Sequence, residues 1–176
     1  MVYDYDTGKL CDLVEFIAGY NKVMKNTEAQ SIVRMQRLCY FCDFDHFEMY
    51  GQSLTDCIYV RTPKGPTPIF FHEALRELVT DGRVFVDGND IMPSESAIEE
   101  VEKTCMSIAP FSKKWSNNEL LSIMQTVKKY SAFEEKKLCE LSRKDNPCQI
   151  AGEYQALSYY AAFYRRPFYV RRGEDE

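Results

Sequence analysis

At 176 residues, with 45% apolar and 14% aromatic side chains, the chain is large and hydrophobic enough to bury a core of its own, which excludes an intrinsically disordered protein. A formal charge of −5, from 27 acidic and 22 basic residues, argues against phosphate neutralisation as the main source of affinity and favours protein partners over nucleic acid. No apolar run approaches the roughly 20 residues of a membrane span, residues 1–6 are acidic where a signal peptide is basic, and seven irregularly spaced cysteines form no secreted disulfide framework, which together point to a cytoplasmic protein with reduced thiols.

Residues 9–25 place Leu10, Leu13, Val14, Ile17 and Ala18 at helical spacing and predict a helix with one buried face. Asn26 and Thr27 break that pattern, and Thr27 with Gln30 reads as a capping box that opens the next helix. This second helix runs through Met35, Leu38, Cys39, Cys42 and His46 to about Tyr50 and stops at Gly51. Being the longest and most aromatic, it is expected at the centre of the core. Residues 57–61 are β-branched and aromatic and predict a strand. Three prolines and a glycine in residues 62–68 exclude helix and predict a stiff, exposed loop. A helix over 69–80, stopped at Asp81-Gly82, precedes a short hairpin over 83–92 that turns at residues 87–90.

Residues 94–106 read as a helix whose polar face, with Glu95, Glu99, Glu100 and Glu102, is solvated. Ser116 with Glu119 predicts a capping box for a helix carrying Leu120, Met124, Val127 and Tyr130 on one stripe. Ser131 with Glu134 is expected to cap the following helix, which buries Leu138 and Leu141, and the short turn between the two suggests a helix-turn-helix-like corner. Asn146-Pro147 starts another helix, and a last one presents Tyr154, Leu157, Ala161 and Tyr164. The expected fold is therefore α+β and mainly helical, with a long central helix, a small β-hairpin or wing, and the C-terminal corner. It occupies residues 9–165 as one domain, followed by a charged tail over 166–176, and the end of the chain from Arg165 onward is expected to fray.

Chemistry-bearing residues are sparse. Cys39, Cys42 and His46 lie on one helix face, but a structural zinc site needs a fourth ligand, and the same face carries Met35 and Met49, so buried thiols are expected and no metal or cofactor. A Cys–His nucleophile pair lacks an orienting acid and an oxyanion signature, so no catalytic residue is assigned. The turn around residues 59–66 is a better candidate. A stiff turn loses little entropy on binding, and Tyr59, Arg61, Lys64, Gly65 and Pro66 form the candidate partner contact, supported by Asp43, His46 and Tyr50.

The run Leu38-Cys39-Tyr40-Phe41-Cys42-Asp43-Phe44-Asp45-His46-Phe47 leads into Tyr50-Gly51-Gln52-Ser53-Leu54-Thr55, then Tyr59-Val60-Arg61, Gly65-Pro66, and Phe71-His72-Glu73-Ala74-Leu75-Arg76-Glu77-Leu78 before Asp81-Gly82. With Phe111-Ser112, Glu119-Leu120, Leu141-Ser142 and Asn146-Pro147 downstream, this order resembles the Panacea, or SocA-like, antitoxin domain over roughly residues 9–165. It departs from the family at Lys64, where an aromatic often precedes Gly-Pro, and at Arg143 and Cys148, where His and Trp are common; a role tied to that pair does not carry over. The resemblance implies a non-enzymatic antitoxin that binds and neutralises a protein toxin encoded by an adjacent gene in bacteria or phages. One branch of the family is an adaptor that delivers its toxin to an ATP-dependent protease. Two other readings compete with it. A winged-helix-like regulator of its own operon would bind DNA if Lys128, Lys129, Lys136, Lys137, Arg143 and Lys144 share a side, and a thiol- or metal-dependent enzyme is the second.

Overall fold

The computed structural model describes residues 6–165. The charged tail expected over 166–176 lies outside them. In chain order the elements are α1 (Gly8–Lys25), β1 (Gln30–Ser31), α2 (Ile32–Tyr50), β2 (Tyr59–Thr62), β3 (Gly65–Pro68), α3 (Phe71–Thr80), β4 (Val84–Asp87), β5 (Asp90–Pro93), α4 (Glu95–Cys105), α5 (Asn117–Tyr130), α6 (Glu135–Lys144), α7 (Asn146–Ile150) and a 3₁₀ helix (Tyr159–Tyr164). The fold is mainly helical α+β, as expected. Among the described residues no helix is long and apolar enough to cross a membrane.

The second helix is the centre. Its 19 residues end at Gly51, whose φ of 69° closes the helix in the left-handed conformation. From Met35 to Phe44 every side chain is buried, so α2 is wrapped on all sides, by α1, α5, α6, β3 and the 3₁₀ helix. Phe41 stacks on Tyr130 of α5 at 3.8 Å between ring centroids, and Phe44 stacks on Tyr159 of the 3₁₀ helix at 4.5 Å. The first helix is likewise buried on more than the one face its spacing predicts, because α3 and α4 pack on it as well as α2. At Gly19 an added Cβ would lie 2.8 Å from the Ala97 carbonyl oxygen, so the α1–α4 crossing depends on a residue without a side chain.

Local signals survive where they meet no competing partner. Ser116 and Glu119 form the predicted capping box, Ser94 caps α4, and Asn146-Pro147 opens α7. The hairpin β4–β5 turns at the expected place, with Asp87 opposite Asp90. Four expectations are corrected. The Thr27–Gln30 capping box does not form: Gln30 and Ser31 pair with Ile91 and Asp90, which holds them extended and makes Ser31 the N-cap, accepting from Arg34 N–H at 3.0 Å. The wing is thereby a three-stranded antiparallel sheet in the order β1-β5-β4. Ser131 does not cap α6 with Glu134. It closes α5 in helical geometry while its carbonyl accepts from Arg34 Nη2 at 2.8 Å, and α6 starts after Glu134 without a side-chain cap. The α5–α6 corner packs chiefly on α2.

The third correction concerns residues 62–68, which are not an exposed loop. Residues 65–68 form β3 against β2, with Arg61 opposite Pro66 and Tyr59 opposite Pro68. Proline is tolerated because β3 has no neighbouring strand on its other edge among the described residues, so no ladder donor is lost there. Gly65, Pro66 and Pro68 are buried, and Pro63 and Lys64 alone of residues 62–68 are fully exposed. Fourth, the last helix does not begin at Tyr154. The chain there runs beside β2: Tyr154 N–H donates to the Arg61 carbonyl (2.7 Å), Leu157 N–H to that of Tyr59 (2.8 Å), and Arg61 N–H to that of Gln155 (3.0 Å). Only from Tyr159 does it turn into the 3₁₀ helix.

Candidate functional site

The hairpin β2–β3 is fixed to α2 by two charged residues inside that helix. Arg37, 1% exposed, reaches beneath the hairpin and donates from Nη1 to the Pro66 carbonyl and, at 3.3 Å, to Thr67 Oγ1. Burial lowers its pKa, and its Nε has no hydrogen-bond partner among the described residues. Gly65 crosses directly over this group with φ of 117°, and a Cβ there would meet Ser142 Oγ at 2.8 Å and Arg37 Nε at 3.1 Å. Glycine is required twice at this position, by the backbone conformation and by the space.

Asp43 is the second anchor. Leu54 and Thr55 donate their N–H groups to Oδ1 at 2.9 Å each, and the Thr55 and Tyr59 hydroxyls donate to Oδ2 at 2.6 Å each. Burial raises its pKa to about 6, against the lowering effect of those four bonds. The same carboxylate thus ties the loop after α2 and strand β2 to one point.

Of the candidate contact residues, Tyr59 (1% exposed), Gly65 and Pro66 are interior. Arg61 is half-buried, and its Nη1 donates to the Ala151 carbonyl at 2.7 Å. Lys64 is exposed at the turn. Among the supporting residues, Asp43 has the role just described, and His46 is buried, its Nδ1 without a hydrogen-bond partner among the described residues and its pKa lowered by desolvation. Tyr50 is 46% exposed, with its ring 4.7 Å from that of His46.

Sequence reasoning missed a further cluster. Arg165, expected to fray, is instead the lid of an acidic pocket. It donates to Asp45 Oδ1 (2.6 Å), Glu48 Oε2 (3.1 Å) and Asp145 Oδ2 (2.5 Å), while the Tyr40 hydroxyl donates to the same Asp145 oxygen at 2.6 Å. Nothing local in the sequence joins residues 45, 145 and 165.

The thiols are placed for packing. Burial raises Cys39 and Cys42 well above the ordinary range and pushes Cys11 up to about 12 and Cys105 up to about 11, which disfavours thiolate. Among the described residues none of the seven cysteines forms a disulfide. Among the described residues no group of three or more His, Cys, Asp or Glu side chains is placed to share a metal ion.

An open cleft of about 510 Å³ lies at the C-terminal end of α2, lined by Phe47, Gly51–Ser53, Asp56 and residues 158–160. Elsewhere, Met106, Ile108 and Phe111 project from the α4–α5 connection, each at least 67% exposed.

These features define a helical α+β domain whose buried polar groups shape its frame and whose exposed apolar side chains suit contact with another molecule. Compared with known protein families, residues 35–148 match the antitoxin SocA-like, Panacea domain, and the chain belongs to that family. No curated protein and no solved structure matches it.

Proposed function

We propose that the chain is the antitoxin of a two-gene pair, acting in the cytoplasm, where it binds a protein toxin from the adjacent gene and neutralises it. Membership of the antitoxin-like family over residues 35–148 carries this reading. The rigidity of the β2–β3 hairpin supports a contact there: with Arg37 beneath it and residues 154–157 beside it, the Pro63–Lys64 tip meets a partner with little ordering cost. Cysteines that form no disulfide among the described residues suit a reducing compartment. In the adaptor form, the complex is also handed to an ATP-dependent protease. A DNA-binding regulator fits less well, since Lys137 and Lys144 both pair with Glu140 and break the basic stripe of α6.

The test is co-expression with the product of each adjacent gene. Growth arrest by one of them alone, relieved by this chain through a stoichiometric complex, supports the proposal; arrest that persists rejects it. Toxin half-life with and without the chain separates the adaptor form from simple sequestration. Lys64→Glu is expected to leave stability unchanged and to weaken the complex about ten-fold, in line with loss of one favourable rim contact and gain of one unfavourable one.

A further inference from the structure

The open cleft beside the 3₁₀ helix lies partly outside the family match, since residues 158–160 follow its last residue. Its apolar wall is aromatic. Phe47 is met by Tyr159, Tyr160 and Phe163 at centroid distances of 5.3, 5.4 and 5.3 Å. Tyr160 is 70% exposed and Phe163 49%, so the wall presents ring surface that the fold does not cover. The frame behind it is fixed: Phe44 stacks on Tyr159, whose hydroxyl donates to the Cys57 carbonyl at 2.7 Å.

The lining also carries Asp56, its charged side chain. Its φ of 56° is held by a reciprocal pair, Ser53 Oγ donating to Oδ1 at 2.5 Å and Asp56 N–H donating back at 3.0 Å. The second carboxylate oxygen has no hydrogen bond among the described residues. Aromatic rings and a hydrogen-bonded carboxylate lining one cleft have the chemistry of an anchor site.

We propose that this cleft receives one aromatic or large aliphatic side chain of a partner protein, flanked by a Lys or Arg that pairs with Asp56. Charge decides the flanking residue: the rim is acidic and the whole chain carries −5. This rests on the reading that the chain works by binding a protein, and it names a second point of contact besides the hairpin tip.

The experiment is a titration of the full-length, ¹⁵N-labelled protein with N-acetyl-Phe-Arg-amide, N-acetyl-Phe-Glu-amide and N-acetyl-Ala-Arg-amide. The Phe-Arg probe is expected to give saturable shifts at the amides of Gly51, Ser53, Asp56 and Tyr160. The other two should bind about five-fold more weakly, the size of a partly exposed ion pair or a single ring contact. Asp56→Asn, which keeps a side chain tolerant of positive φ, should erase the preference for Arg over Glu, and Tyr160→Ala should abolish the shifts. Scattered or absent shifts with Phe-Arg, or equal affinity for all three probes, would overturn the proposal. So would tighter Phe-Arg binding in Phe168→Ala, because the chain's own C-terminal segment would then be the occupant. A toxin neutralised as well by Tyr160→Ala as by the unaltered chain overturns the cleft and leaves the antitoxin reading standing. Specific probe binding with no adjacent toxin does the reverse.

Discussion

Replacing Asp43 tests whether the α2 anchor carries the energy its geometry implies. Asp43→Ala strands the N–H groups of Leu54 and Thr55 and the Tyr59 hydroxyl in the interior, at about 1–3 kcal/mol each. Against this, the carboxylate is held ionised at a cost: a pKa raised from 3.8 to about 6 corresponds to about 3 kcal/mol above both values. The difference leaves Asp43→Ala destabilised by about 3 kcal/mol at pH 7.5. Asp43→Asn keeps an acceptor for the two amides and turns an NH₂ toward hydroxyls that can rotate to accept, so its cost is about 1 kcal/mol. The pH dependence has a definite sign. A carboxyl whose folded pKa is raised adds stability that is complete below about 3.8 and is lost as pH rises through about 6. Urea unfolding followed by circular dichroism from pH 4 to 7.5 measures both effects. The Asn variant should gain on the unaltered chain by up to about 3 kcal/mol across that range. Parallel curves for the two proteins, or an Ala variant within about 0.5 kcal/mol of the unaltered chain, would refute the account.

Other substitutions read other parts of the frame by the same unfolding assay. Gly65→Ala should cost about 2–4 kcal/mol, and adding Ser142→Gly should restore only part, since the backbone strain remains. Arg165→Met leaves Asp45 and Asp145 buried without their cation and should cost about 3–5 kcal/mol; adding Asp45→Asn and Asp145→Asn should recover most of it. With a chromogenic disulfide reagent at pH 7.5, the half-exposed Cys139 and Cys105 should react before Cys39, Cys42 and Cys57, which wait for unfolding in urea. Equal rates for all would contradict the buried-thiol assignment.

What the sequence reveals and what it hides divide by distance along the chain. The α2 helix and its stop at Gly51, the turn between β4 and β5, and the Ser116–Glu119 box are set by residues within a few positions of each other, and all form as read. Gln30 and Ser31 obey β5 sixty residues away rather than their own capping pattern. Residues 154–157, helical by spacing, are claimed by unpaired backbone groups of β2. At the candidate site, Asp43 is expected only as a support of the contact surface, and its partners Leu54, Thr55 and Tyr59 are brought to it by the fold. Aromatic and cationic character in residues 59–66 suggested a surface, but Tyr59 is drawn inward by Asp43, which leaves Lys64 as the exposed cation of that turn.

The extent of the fold follows from where the buried charges find their partners. The family match runs from Met35 to Cys148, with Arg37 and Asp43 of α2 inside it. Yet Asp45 and Asp145 are neutralised by Arg165, Phe44 is covered by Tyr159, and the free side of β2 is bonded to residues 154–157. An acid in the interior without its cation costs several kcal/mol, and an uncovered strand edge invites pairing with another chain. The residues beyond the match therefore complete the core that the matched residues begin. They also supply the aromatic half of the cleft, so the same short segment that closes this fold gives it a surface the matched region alone lacks.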